Sequence, residues 1–311
     1  MDTSPPPLAP SGANQAAVPV LVAGLITTGL ALAGVWAINQ ASDSFNIMSW
    51  YAYYILPIGA LIVGLVAGSG YGVASWLTGV RISRGLLAAI LALQILAYFA
   101  AQFIEYRHLI SIYGGEEQIG FLRFFDLTTR AFAWQGKDGA AGSPLGGWGY
   151  IWRILEIGGF GLGGIFAPLI LKSKPYCENC QRYMRTRSLG LIPAGVAVKK
   201  IKKKDTEGQA AYQQAQETAL AEGLAALEKL RAHAEVGKTT SFNEILDAYQ
   251  SEQKAIGKQS TRIALSLSHC PICHSGQLDA ASLSGKGNQI SRQELGTSPI
   301  NPGLSRELQQ T

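Results

Sequence analysis

Residues 60–72 read Ala-Leu-Ile-Val-Gly-Leu-Val-Ala-Gly-Ser-Gly-Tyr-Gly, an apolar run in which small residues recur at every fourth position. Four residues form this ridge: Ala60, Gly64, Gly68 and Gly72. A helix places all of them on one face, and small residues there let two helix backbones approach closely inside a membrane. The run therefore predicts a membrane helix, over about 52–79, that packs tightly against another helix.

Three further segments have the length and composition of membrane helices, since about 20 apolar residues cross the hydrocarbon core. The predicted spans are 17–38, 52–79, 85–104 and 148–171. The first lacks the basic start of a signal peptide and is interpreted as a retained helix. We expect an all-α four-helix transmembrane bundle over 17–171, after a Pro-rich disordered tail over 1–16.

The fourth predicted span carries its own small residues, including Gly159 and Gly163. Two interpretations are open for the glycine ridges of the second and fourth helices. They pack these helices against each other within one bundle, or they form the face of a homo-oligomer.

The distribution of charge predicts the orientation. Residues 1–80 contain no Lys or Arg, whereas residues 172–204 contain ten of them against the single acid Glu178. Basic residues accumulate on the cytoplasmic side of membrane proteins. Both termini are therefore expected in the cytoplasm, with the inner membrane of a cell as the predicted location.

Arg153 and Glu156 are the charged residues inside the fourth span, three positions apart and so on one face of the helix. Charges at membrane depth call for a functional hypothesis. The alternatives are a structural ion pair near the helix end, with Arg153 reaching towards the interface, or a role in transport or proton handling.

The loop over 105–147 is too long for a simple connection. Its middle part, 119–134, is aromatic and amphipathic, which predicts a helix that lies on the bilayer or caps the bundle. A substrate-binding loop is the alternative.

All four cysteines follow the last predicted span, in the pairs Cys177-Glu-Asn-Cys180 and Cys270-Pro-Ile-Cys273. A segment with strand character follows the first pair over 185–192, and another precedes the second pair over 261–268. This arrangement resembles the zinc-ribbon fold, in which two such turns clamp one ion. The resemblance covers about 175–194 and 261–276.

Four thiolates suit a closed tetrahedral zinc site, and the resemblance implies one structural Zn²⁺. Its ligands would be Cys177, Cys180, Cys270 and Cys273. Iron, and no metal with disulfides instead, are the alternatives. Rubredoxin-type turns usually carry glycine after the second cysteine, where this chain has Gln181 and His274, and a reducing cytoplasm disfavours disulfides. His269 and His274 are predicted to lie outside the ligand set.

Eighty-nine residues separate Cys180 from Cys270, whereas a compact zinc site needs about 15–20. We expect a cytoplasmic α+β zinc-ribbon module over 172–275 with a helical-hairpin insertion over about 199–258. Helices are predicted over 205–234 and, after the capping box Ser241-Phe-Asn-Glu244, over 242–256. The hairpin would project from the ribbon, and its own core would contain one leucine stripe: Leu220, Leu224, Leu227 and Leu230.

A lysine run opens the insertion: Lys199, Lys200, Lys202, Lys203 and Lys204. Anionic lipid is its preferred partner, since each lysine near the inner leaflet gains about 1 kcal/mol. Nucleic acid and a plain solvated run are the alternatives. The Ser/Gly/Gln-rich segment over 276–311 is predicted to be a disordered tail.

No nucleotide-binding loop, hydrolase triad or metalloprotease motif is present in the sequence. The leading hypothesis is a non-enzymatic scaffold or adaptor that binds a cytoplasmic protein partner. The alternative is a small transporter or membrane enzyme that uses Arg153, Glu156 and the loop 105–147.

Overall fold

A computed structural model describes residues 13–41, 46–53, 55–113, 119–133, 142–197, 205–250, 252–285 and 290–310. The chain divides into two compact units, Met1–Lys174 and Pro175–Thr311.

Among its described residues, the first unit contains four helices long and apolar enough to span a membrane, which agrees with the predicted number. They are α1 (Ala13–Ala41), α2 (Ile58–Thr78), α3 (Arg84–Tyr113) and, after the short helix α4 (Phe121–Arg130), α5 (Gly149–Lys172).

Several helix boundaries differ from the prediction. Helix α2 begins at Ile58 because Pro57 disfavours helical backbone before it, and the Leu56 amide donates to the Ala52 carbonyl (3.0 Å). Helix α3 continues past residue 104 to Tyr113, since polar side chains there do not interrupt its backbone bonding. Helix α1 begins at Ala13, so the disordered tail predicted over 1–16 is too long, and residues 1–12 lie outside the described part.

The glycine ridge of α2 packs against α5 within the chain. A Cβ atom added to Gly64 or Gly68 would overlap backbone atoms of α5, and one added to Gly72 would lie 2.6 Å from the Ala167 Cβ. From the opposite side, a Cβ on Gly159 would lie 2.7 Å from the Pro57 Cγ, and one on Gly163 would overlap the α2 backbone. Ala60, the first residue of the ridge, is fully buried in the same core. The two predicted ridges therefore pack against each other inside one bundle.

Helices α1 and α3 run parallel and are tied together at two levels. The Gln94 amide donates to the Thr28 hydroxyl (3.3 Å), and the Gln40 amide lies 3.3 Å from His108 Nδ1. Thr28 also donates to the Ala67 carbonyl of α2 (3.2 Å). Hydroxyl and amide bonds of this kind hold helices together where lipid surrounds them.

Helix α4 lies across one end of the bundle, named here the α4 end. The Phe121 ring of α4 packs edge-on against the Phe103 ring of α3, with centroids 5.5 Å apart, and Phe124 of α4 is buried. The opposite face is free, since Leu122 is 81% exposed. This packing agrees with the predicted cap; the last residue of that predicted segment, Trp134, lies outside the described part.

The second unit is built on a four-stranded antiparallel sheet in the order β3-β4-β5-β6. Its strands are β3 (Arg185–Pro193), β4 (Thr261–His269), β5 (Gly276–Ser284) and β6 (Ser291–Ile300), and a separate hairpin pairs β1 (Tyr176–Cys177) with β2 (Arg182–Tyr183). The strands predicted beside the two cysteine pairs, β3 and β4, are neighbours and pair Arg185 with His269.

Helices cover one face of this sheet. They are α6 (Thr206–Val236), α7 (Thr239–Gln250), the one-turn α8 (Gln253–Ile256) and α9 (Pro302–Gln310). Alternate residues of β4 turn Ile263, Leu265 and Leu267 towards them, as the period of a strand requires. Leu230 of α6 and Phe242 of α7 are fully buried in the same core.

The structure corrects three predictions for this unit. Residues 276–310 are not a disordered tail, because β5, β6 and α9 complete the sheet and its core; the small polar residues lie mostly on the exposed side. The helical hairpin does not form a core of its own, because Leu227 and Leu230 pack on the sheet, while Leu220 and Leu224 of the predicted stripe stay partly exposed. Ser241 does not cap a helix, because α7 already begins at Thr239.

Candidate metal centre

The first cysteine pair lies in the turn between β1 and β2. Tyr176 and Tyr183 pair across this hairpin with their rings edge to face, 5.2 Å apart. The Met184 amide closes the hairpin by donating to the Pro175 carbonyl (2.9 Å). The turn presents the buried Cys177 and the partly buried Cys180.

The second pair occupies the turn that joins β4 to β5. The Cys270 amide donates to the Ser275 carbonyl (2.8 Å), and the His274 amide donates to the Cys270 carbonyl (3.1 Å). Cys270 is buried and Cys273 lies nearer the surface. Each pair therefore has one buried and one more accessible thiol.

The two turns bring all four predicted thiols together. The four Sγ atoms lie within 4.8 Å of one another, Cys177 Sγ and Cys273 Sγ are 3.6 Å apart, and all four cysteines are free. Four thiolates placed about 2.3 Å from one tetrahedral ion would have their sulfur atoms about 3.8 Å apart. The donor set therefore fits one metal ion.

The backbone of the two turns weakens the argument made from sequence against iron. Gln181 and His274 follow the second cysteine of each pair and have positive φ angles, 50° and 58°. This is the left-handed region that glycine favours. Because both residues adopt it without being glycine, the absence of glycine does not distinguish zinc from iron here.

The surroundings of the thiols set their proton affinities. Burial, reinforced by hydrogen bonds to Cys273 and Cys270, raises the pKa of the Cys180 thiol to about 12. Burial likewise raises the pKa of Cys270. Burial acts in the same direction on Cys273, but hydrogen bonds from Ser275 outweigh it and lower the pKa to about 6. The Ser275 hydroxyl lies 3.0 Å from Cys273 Sγ and 3.6 Å from Cys177 Sγ, a role that no sequence pattern indicated.

Two arginines act on the histidine that precedes the second cysteine pair. Burial, followed by the charges of Arg185, His274 and Arg187, lowers the pKa of His269. His274 Nδ1 lies 3.2 Å from Gln309 Oε1 of α9. Neither histidine belongs to the four-cysteine cluster.

Comparisons with protein-family models, with curated proteins and with solved structures found no match for this chain. Its function is therefore inferred from its own residues.

The predicted intramembrane pair forms at the α4 end. Arg153 donates to Glu156 Oε2 (2.8 Å) and to the hydroxyls of Thr129 (3.1 Å) and Thr128 (3.2 Å) on α4. Its side chain is buried rather than extended to the interface. Arg153 therefore fastens α4 to α5.

Glu156 is fully buried and accepts two further hydrogen bonds, from the Tyr98 hydroxyl (2.8 Å) and the Ser49 hydroxyl (3.2 Å). Burial and the negative charge of Glu156 raise the pKa of Tyr51 well above its usual range. The pair thus joins α3, α4, α5 and the loop after α1. The predicted lysine run (199, 200, 202, 203 and 204) lies outside the described residues.

Proposed function

We propose that the chain is a non-enzymatic, multi-pass membrane protein whose soluble unit is closed by one structural zinc ion and docks a cytoplasmic protein partner. The observation that supports this proposal is the cluster of four free thiols. Four cysteine ligands saturate a tetrahedral ion and leave no position for a substrate, which favours a structural role over a catalytic one.

The zinc would act by joining two separate hairpins. Cys177 and Cys180 belong to the small β1–β2 hairpin, and Cys270 and Cys273 belong to the main sheet. Binding free energy at such a site is also folding free energy. We propose that this zinc-ribbon-like centre holds the hairpin to the sheet.

Helix α6 is the proposed docking surface. It has 31 residues and is therefore about 46 Å long, whereas a nine-residue strand spans only about 30 Å. Its buried residues begin at Gly223, so the first half of the helix contributes little to the core. Leu220 and Leu224 remain 38% and 37% exposed beside acidic residues, which suits an amphipathic protein partner.

In the proposed topology both termini and the soluble unit lie in the cytoplasm, at the inner membrane of a cell. The lysine run would contact anionic lipid, and nucleic acid is the less favoured partner. Transport through Arg153 and Glu156 ranks second, because the hydrogen bonds described above occupy both side chains within the bundle.

Site-specific photo-crosslinking in intact membranes tests the docking proposal. A crosslinker at Leu220 of the full chain should give a discrete product that is lost on Leu224→Asp and on Cys270→Ser. Gln293, exposed on the edge strand β6, is the matched control position and should give none. Identical products from both positions, or a product unaffected by Leu224→Asp, would contradict docking on α6.

A further inference from the structure

The α4 end of the bundle contains a second group of buried polar side chains on α3. Gln102 is fully buried, and both atoms of its amide lack a hydrogen-bond partner in the part of the chain that the structure describes. Glu105, three residues further and so on the same face, has a buried Oε2 atom that also lacks one there. Buried polar atoms without partners are costly, and native proteins rarely leave them so.

Neighbouring elements converge on the same level. The hydrogen bonds between α1 and α3 join residues that are 66 and 68 positions apart, which places Asn39 of α1 level with residues 105–107 of α3. Asn39 is 4% exposed, and its Nδ2 atom also has no partner among the described residues. The Asn46 side chain lies near the Glu105 carboxylate, and the Met48 amide donates to Asn46 Oδ1 (2.8 Å).

The Arg153 guanidinium lies 2.8 Å from Glu156 Oε2, and no ion pair to Glu105 forms among the described residues. A carboxyl group with a buried oxygen in a membrane-spanning helix is stable either when it is protonated or when a cation compensates its charge.

We propose that this end of the bundle binds one monovalent cation, Na⁺ or K⁺, through Glu105 Oε2 and the Gln102 amide oxygen. Carboxylate and amide oxygens are ligands for hard cations. A single carboxylate ligand suits a monovalent ion better than a divalent ion, which usually takes several carboxylates.

Thermal unfolding of the full chain in nanodiscs, followed by tryptophan fluorescence, tests this site. NaCl, KCl and choline chloride are compared at equal ionic strength, at pH 6 and pH 8. We expect a saturable rise of the midpoint with Na⁺ or K⁺ but not with choline, because a ligand of the folded state stabilises it. The rise should be lost in Glu105→Gln and in Gln102→Leu.

Asp126→Asn, which removes an exposed acid from α4, is the matched control and should keep the response. If Glu105→Gln does not fold, the response of Gln102→Leu to Na⁺ and K⁺ still tests the site. An equal response to choline, or a response that persists in the folded variants, overturns the proposal. A midpoint that depends on pH alone also overturns it and assigns a proton to Glu105 instead.

Discussion

Substituting Gly68 by alanine tests the packing of α2 against α5 with the smallest possible change. The added Cβ would lie 2.5 Å from the Gly164 Cα, where ordinary contacts begin at 3.4 Å, and closer still to the Gly164 carbonyl group, so the helices must separate locally by more than about 0.9 Å. Backbone atoms cannot rotate away as a side chain can. Overpacking of this kind costs about 1–3 kcal/mol of unfolding free energy.

Gly158→Ala on α5 is the matched control, because a Cβ there has nothing within 4 Å. Both substitutions gain similar intrinsic helix propensity, so the difference between them isolates the clash. Reversible unfolding in mixed detergent micelles would measure both free energies. Gly68→Ala should be less stable than Gly158→Ala by about 1–3 kcal/mol. Equal stabilities would refute the close α2–α5 contact.

Three further variants or conditions test other parts of the molecule. Leu230→Ala should destabilise the second unit by about 2–5 kcal/mol in denaturant titrations, whereas Leu220→Ala, at a partly exposed position, should cost far less. Arg153→Ala should cost about 3–5 kcal/mol because it leaves Glu156 buried and unpaired, and a thermal midpoint unchanged from wild type would refute this pair. Because the pKa of Cys180 is raised to about 12, zinc must displace its proton; affinity should rise from pH 6.5 to pH 8 in chelator competition, and a pH-independent affinity would contradict thiolate ligation.

Sequence periodicity predicted the membrane unit well because lipid imposes a simple rule on it. A spanning helix must be long and apolar, and the ridge that begins at Ala60 could only be a close-packing face. The network around Glu156 was only partly predictable. Its partners Tyr98 and Ser49 lie 58 and 107 residues away along the chain, and no local pattern joins them.

The second unit was harder to predict because its sheet is assembled from distant segments. The two cysteine pairs located the four clustered thiols, and strand character located β3 and β4, but β6 has little apolar alternation and is an edge strand, with only Ile300 fully turned into the core. Its composition therefore matches that of a disordered tail. Helix periodicity predicted that Leu227 and Leu230 are buried on one side of α6. It could not predict that the surface they pack against is the face of β4.

The metal content of the full-length protein, purified under reducing conditions, tests the central claim most directly. Elemental analysis should give one zinc per chain in the wild type and none in Cys270→Ser, and the cobalt-substituted protein should show thiolate-to-metal absorption. Ser282→Ala, a substitution on β5 remote from the turns, should retain the zinc. Bound iron, or a folded metal-free chain with its thiols paired in disulfides, would contradict the claim that one zinc ion holds the second unit together.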